Sequence, residues 1–241
     1  MLHGEERDAV DLSFSLPSDC ARQVDAGQID IGLVPVAEIA RQQLVIVPGV
    51  GIACFGPVRS ILLFSRVAWN KVRTVAADAS SRTSVELARV ILAERFGVTP
   101  KISERRPLLD DMLARADAAL VIGDPALRLE PTQLPYEWLD LGSEWQQLTG
   151  LPMVFAAWAG KHPPAGLAAV TQASYQFGSE RMDDIVNSQY ERRGISRELA
   201  HEYLRHHIRF NLGPKEMEGL EAFLSLADLT KGKDAYATTG G

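Results

Sequence analysis

Ser80, Ser81, Arg82, Thr83 and Ser84 put four hydroxyls and a guanidinium into five consecutive positions. They lie between an apolar run, Val75-Ala76-Ala77, and a helical pattern that starts near Val85. The amino end of a helix offers unpaired N–H groups and positive partial charge, so such a turn suits a carboxylate or a phosphate. Thr83 and Glu86 also have capping-box spacing, and a plainly well-capped helix accounts for the same residues. Ile122-Gly123-Asp124-Pro125 repeats the logic: a strand ends in Gly123, Asp124 can cap, and Pro125 suits the first helical position. Ligands of α/β sheets gather at such carboxyl ends, although a capped helix is again sufficient.

Two further segments lead into apolar strands. Gly56-Pro57-Val58-Arg59-Ser60 precedes Ile61-Leu62-Leu63-Phe64, and Arg59 there can grip a carboxylate bidentately or simply lie on the surface. Thr149-Gly150-Leu151-Pro152 precedes Met153 to Ala159 and reads either as a turn or as a second ligand contact. The histidines are His3, His162, His201, His206 and His207. The last three lack the i, i+4 spacing of a helical metal pair and read as surface residues, so no metal site is expected. Cys20 and Cys54 are too few for a structural zinc site and read as free thiols in a reducing cytoplasm. No Ser-His-Asp elbow, phosphate-binding loop or dinucleotide fingerprint is present, and no cofactor is expected.

These segments need a scaffold. Val10 to Leu16 alternates like a strand, and Pro17-Ser18-Asp19 offers a helix cap. Strands are expected at Ile29 to Pro35, Val45 to Val47, Ile52 to Phe55, Ile61 to Phe64, Arg73 to Ala77, Ala118 to Ile122 and Met153 to Trp158. Helices alternate with them, notably Val85 to Phe96, which Gly97 stops. After Pro163-Pro164 the pattern is helical only. Alternating strands and helices imply an α/β fold with helix-covered sheets. The expected division is residues 1–65 plus 159–241 as lobe one and 66–158 as lobe two, with a ligand cleft between them. The crossings fall near Ser65 and Trp158.

The chain's 241 residues are 46% hydrophobic, enough for a sizeable core. A net charge of −6 excludes a general nucleic-acid binder but leaves room for a small anion held by local donors. No stretch approaches the ~20 apolar residues of a membrane helix, and the first residues do not form a signal peptide.

Taken in order, these segments resemble one family. They are Ser18 to Gln28 with Ile29-Asp30-Ile31-Gly32-Leu33-Val34-Pro35, Gly56 to Ser65, Ser80 to Ser84, Ile122 to Leu127 and Leu148 to Ala156. The sequence is similar over about residues 10–227 to the chorismate dehydratases of the futalosine-dependent menaquinone pathway. The resemblance implies a two-lobe, type II periplasmic-binding-protein-like fold with a hinge and a C-terminal helical return. It implies a lyase that dehydrates chorismate to 3-[(1-carboxyvinyl)oxy]benzoate without a cofactor. The Arg-Ser hinge strand and the Thr149 to Ala156 segment favour the dehydratase over the sister naphthoate-forming enzyme. The family opens with a strand and an asparagine motif. Neither is found here, so the catalytic residue is left unassigned and the chain is expected to be a shortened form, less stable and nearly inactive.

On this resemblance, Ser80, Ser81, Thr83 and Ser84 would hold one carboxylate of the dianion, and Ser60 or Arg59 the other. Asp124 and the Gly123 backbone would line the leaving-group side, with Arg82, Thr149 and Pro152 also at the ligand. The alternatives are a small-anion binding module and an inactive, truncated homologue of the same fold.

Overall fold

The computed structural model describes residues 8–78 and 82–229. Helix α1 (Pro17–Asp25) leads to β1 (Gly32–Pro35), α2 (Val36–Gln42) and the long β2 (Val45–Cys54). A second series follows: β3 (Ile61–Ser65), β4 (Thr74–Asp78), α3 (Arg82–Phe96), β5 (Lys101–Arg105), α4 (Leu109–Leu113), β6 (Ala118–Ile122), α5 (Asp124–Leu127), β7 (Glu137–Asp140) and α6 (Leu141–Thr149). The chain returns through β8 (Met153–Gly160), α7 (Leu167–Glu180), α8 (Met182–Arg193), α9 (Arg197–Glu202), a π turn (Tyr203–His207), β9 (Arg209–Leu212) and α10 (Pro214–Leu226).

The strands form two sheets, a four-stranded one in the order β1-β8-β2-β9 and a five-stranded one in the order β5-β4-β6-β3-β7. In the larger sheet β4 runs parallel to β5 and β6, while β3 runs antiparallel to β6 and β7. The continuous apolar runs at 61–64 and 118–121 form its centre, and Leu62, Leu63, Phe64, Ala118, Ala119 and Leu120 are fully buried. Helix α3 packs on α2, α6, β6 and β8 and carries Leu87 and Ile91 into a core shared by both sheets. Full burial of such a side chain contributes about 1.5–3 kcal/mol. Trp145 of α6 is also fully buried, donates Nε1–H to Pro152 O at 3.1 Å, and meets Phe223 of α10 edge-on. Helix α10 presses so closely here that a Cβ at Gly219 would lie 2.0 Å from Pro152 O.

Several elements differ from the sequence-based expectation. Residues 11–16 are not a strand, and α1 begins on Pro17 with no side-chain cap. The two short strands expected at 45–55 are one, β2, whose pairing with β8 slips between Ile46 and Gly51. Pro48 cannot donate to a ladder and Gly49 has φ +104°, so the strand bulges there instead of ending. The C-terminal region is not purely helical, because β9 pairs with β2 through Val50↔Asn211 and Ala53↔Arg209. Strand pairing also sets the changes of sheet one strand earlier than expected. β3 belongs wholly to the five-stranded sheet and β8 wholly to the four-stranded one. The chain therefore changes sheet at 55–60 and again at 150–152, before Ser65 and Trp158.

One carboxylate ties the first change of sheet to the element that precedes the second. Asp140 accepts from the backbone N–H of Val58 at 2.9 Å and Arg59 at 2.7 Å in the crossover. It also caps α6 by accepting from Gly142 N at 3.0 Å and Ser143 N at 3.1 Å. With Asp140 only 7% exposed, water cannot replace these bonds. Asp140→Ala is expected to destabilise the fold by about 3 kcal/mol or more, read as a lower urea midpoint. Asp140→Asn, which keeps one acceptor, should fall between the variant and the parent.

Candidate active site

Ser60, Gly123 and the start of α3 meet at one edge of the five-stranded sheet. Strand register requires this. Ile61 at the amino end of β3 pairs with Ile122 at the carboxyl end of β6, and Ala77 near the carboxyl end of β4 pairs with Leu120. Ser60, Gly123 and the start of α3 therefore occupy neighbouring positions on the same edge, where α/β folds bind ligands. Asp140 pairs with Leu62 and so lies there too.

Ser60 is 5% exposed. Its N–H donates to Val58 O and its carbonyl accepts from Gly123 N, both at 2.7 Å. Its hydroxyl accepts from the Tyr203 hydroxyl at 3.0 Å. Gly123 takes φ +70°, ψ −143°, a conformation that disfavours any side chain. Asp124 does not cap α5. Its carboxylate instead pairs with Arg193 of α8 at 3.0 Å. Arg128 adds a bond from Nε–H to the Arg193 carbonyl at 2.8 Å, so the end of α8 is fastened to α5 and the residue after it.

Ser80 and Ser81 lie outside the described residues, as do residues 1–7, on which the expectation of a missing opening motif falls. Thr83 is not a cap residue, because α3 already begins at Arg82. The Thr83 side chain is fully buried, and its Oγ accepts from Ala37 N at 3.2 Å. Ala37 lies in the first turn of α2, so Thr83 satisfies an N–H that α2 cannot. Ser84 is buried beside it. Arg82 pairs with Glu38 at 3.2 Å and Arg41 with Glu86 at 2.6 Å, so charges join α2 to α3 as well.

Three expected residues are occupied by the chain itself. Arg59 has φ +64° and sends its guanidinium to Ala126 O at 3.1 Å and Leu129 O at 2.5 Å. It lines a cavity of about 330 Å3 with Trp138, Ser143 and Glu130. Thr149 donates to Trp145 O and accepts from Leu151 N, closing a turn. Pro152 supplies the carbonyl that Trp145 uses. His207 is not simply a surface residue: 18% of its side chain is exposed, and Nδ1 lies 2.9 Å from Pro57 O in the crossover.

Sequence reasoning missed Tyr203, Arg193 and Asp140. Asp140 had a legible signal, an Asp two residues before Gly142-Ser143 at a helix start. Tyr203 had none, since nothing local announces a contact with Ser60.

A family model described as menaquinone biosynthesis matches residues 1–228. The chain belongs to that family. It is 29% identical over 229 residues to the chorismate dehydratase of Thermus thermophilus, an alignment covering 87% of this chain and 83% of that protein. A crystal structure from Archaeoglobus fulgidus superposes with a TM-score of 0.71 at 14% identity, covering 94% of this chain and 91% of that one. The alkanesulfonate-binding protein of Xanthomonas axonopodis pv. citri, bound to MOPS, gives 0.60 at 16% identity, covering 94% and 83%. The menaquinone-biosynthesis chain thus has the expected periplasmic-binding-protein-like fold. No helix among the described residues is long and apolar enough to cross a membrane.

Cys54 lies behind this edge, fully buried. Burial, followed by the charge of Asp140, pushes its thiol far above the ordinary range, which disfavours the reactive thiolate. Burial raises the half-buried Cys20 as well. In the folded protein iodoacetamide is expected to label Cys20 well before Cys54, with both labelled in urea. Mass spectrometry of the digested chain reads this directly.

Proposed function

We propose that this chain is a chorismate dehydratase, a carbon–oxygen lyase that forms 3-[(1-carboxyvinyl)oxy]benzoate for menaquinone biosynthesis. The observation that carries the reading is the similarity to the Thermus thermophilus chorismate dehydratase across 229 residues. The geometry supports it. The buried Ser60, the Gly123 backbone and the amino end of α3 share one sheet edge, where a compact dianion can be held between polar groups. Dehydration removes the allylic hydroxyl and one ring proton as water, and aromatisation drives it. The protein's task is to orient the dianion and exclude bulk water. A carboxylate of the substrate can take the ring proton.

In this proposal Ser84 and the start of α3 serve one carboxylate, with Ser80 and Ser81 beside them, and Ser60 serves the other. Arg82, Gly123 and Asp124 border the site. Arg59, Thr149 and Pro152 shape the segments that carry it. The two sheets, each with its helices, act as two lobes hinged at 55–60 and 150–152. The free thiols fit a cytoplasmic enzyme.

Incubation with chorismate followed by chromatography is expected to yield 3-[(1-carboxyvinyl)oxy]benzoate with loss of one water per substrate. Tight binding of chorismate without turnover would favour a small-anion binding module instead. In solution scattering, saturating product should leave a radius of gyration no larger than that of the free protein, and smaller if the free lobes sample an open state. An expansion would contradict closure about these hinges.

A further inference from the structure

The C-terminal return does more than cover the four-stranded sheet. Helix α9 ends at Glu202, and Tyr203 opens a π turn that runs to His207. Such turns displace the register of a helix by a residue and recur at functional sites. This one touches the crossover twice, through His207 Nδ1 to Pro57 O at 2.9 Å and through Tyr203 to Ser60 at 3.0 Å. It therefore places a phenol from one end of the chain against the serine at the sheet edge.

Among the described residues, the hydrogen bonds of Ser60 can be accounted for. Its backbone N–H and carbonyl are used within the protein, by Val58 O and Gly123 N. Its hydroxyl oxygen accepts from Tyr203, the more acidic hydroxyl and so the better donor. What is left is the Ser60 hydroxyl hydrogen, on a residue only 5% exposed. Among the described residues it has no acceptor. A buried donor without a partner is disfavoured, and an anionic oxygen at this edge would satisfy it.

We propose that Tyr203 is a positioning residue: by donating to Ser60 Oγ it turns the Ser60 O–H toward a carboxylate of the substrate. This rests on the proposed dehydratase function. Burial raises the Tyr203 phenol above its usual range, against the lowering effect of the Ser60 bond, so it is a proton donor throughout the neutral range. Donation from Tyr203 also makes the Ser60 hydroxyl a stronger donor, because hydrogen bonds in a chain polarise one another.

The test is a set of three variants, Tyr203→Phe, Ser60→Ala and the double variant, assayed for steady-state turnover of chorismate. Circular dichroism confirms the fold of each. Tyr203→Phe keeps the ring and removes the hydroxyl, and is expected to raise KM about tenfold. The carboxylate that Ser60 holds is the one that does not take the ring proton, so it is held equally before and during the reaction and kcat should stay within about twofold. Ser60→Ala should do at least as much, and the double variant should be no worse than Ser60→Ala alone. Should Tyr203→Phe fail to fold, Ser60→Ala, which leaves the ring packing in place, must still raise KM with kcat held. Fully additive losses, or a fall in kcat at constant KM, would overturn the assignment. Parental kinetics in Tyr203→Phe would overturn it while leaving the dehydratase reading intact. A parent chain that neither binds nor converts chorismate overturns both.

Discussion

The arrangement depends on a buried carboxylate bonded to four backbone N–H groups. Asp140 holds Val58 and Arg59 on one side and Gly142 and Ser143 on the other. The first pair fixes the crossover that ends in Ser60. The second starts the helix that carries Trp145 toward the other change of sheet. A carboxylate accepting from several N–H groups is among the stronger hydrogen-bond arrangements. It extends the register of the β3–β7 ladder, where Leu62 pairs with Asp140, into the crossover before β3 and the helix after β7. Ser60 can be aimed because Val58 and Arg59, immediately before it, are immobilised.

Around that fixed point the two sheets are joined by contacts of different kinds. On one side α2 and α3 meet through Thr83, Arg82–Glu38 and Arg41–Glu86. On the other, Asp124, Arg128 and Ser60 receive Arg193 and Tyr203 from the C-terminal return. The exposed ion pairs contribute little each, about 0–1 kcal/mol. Thr83 and Ser60 are buried, and there an unmade bond is more unfavourable than a made bond is favourable. The apolar core continues from one sheet to the other through α3, so the two sheets are joined by packing as well as by polar contacts.

Much of this was legible in the sequence and some was not, for physical reasons. The apolar runs at 61–64 and 118–122 announced central strands because four or five residues is a strand's length and too short for a typical buried helix. Gly97 announced the end of α3, and its φ of +67° is why glycine stands there. The turn at Pro48-Gly49 read as a break because proline and glycine usually end strands, whereas here they bend one. Strand β9 was hidden because the alternation of Arg209–Leu212 spans only four residues, too few to stand out from the helical pattern before it. The grouping of Ser60, Gly123 and α3 at one edge follows from strand register, which requires knowing the order of the strands. Thr83 misled because hydroxyl spacing matched a capping box. Its oxygen serves Ala37, distant in sequence, and no local rule registers that.

The topology of the smaller sheet has a consequence for how the chain assembles. Every strand of the five-stranded sheet lies between Ile61 and Asp140, in one uninterrupted stretch. The four-stranded sheet draws β1 and β2 from before that stretch and β8 and β9 from after it. Contacts between segments so far apart in sequence form late, since a long loop must be closed first. During synthesis the larger sheet can gather while β8 is still within the ribosome. β1 and β2 must meanwhile wait with open edges. The order of translation thus lets the half that supplies Ser60 and Gly123 gather first, and makes the half that supplies Tyr203 the last to close.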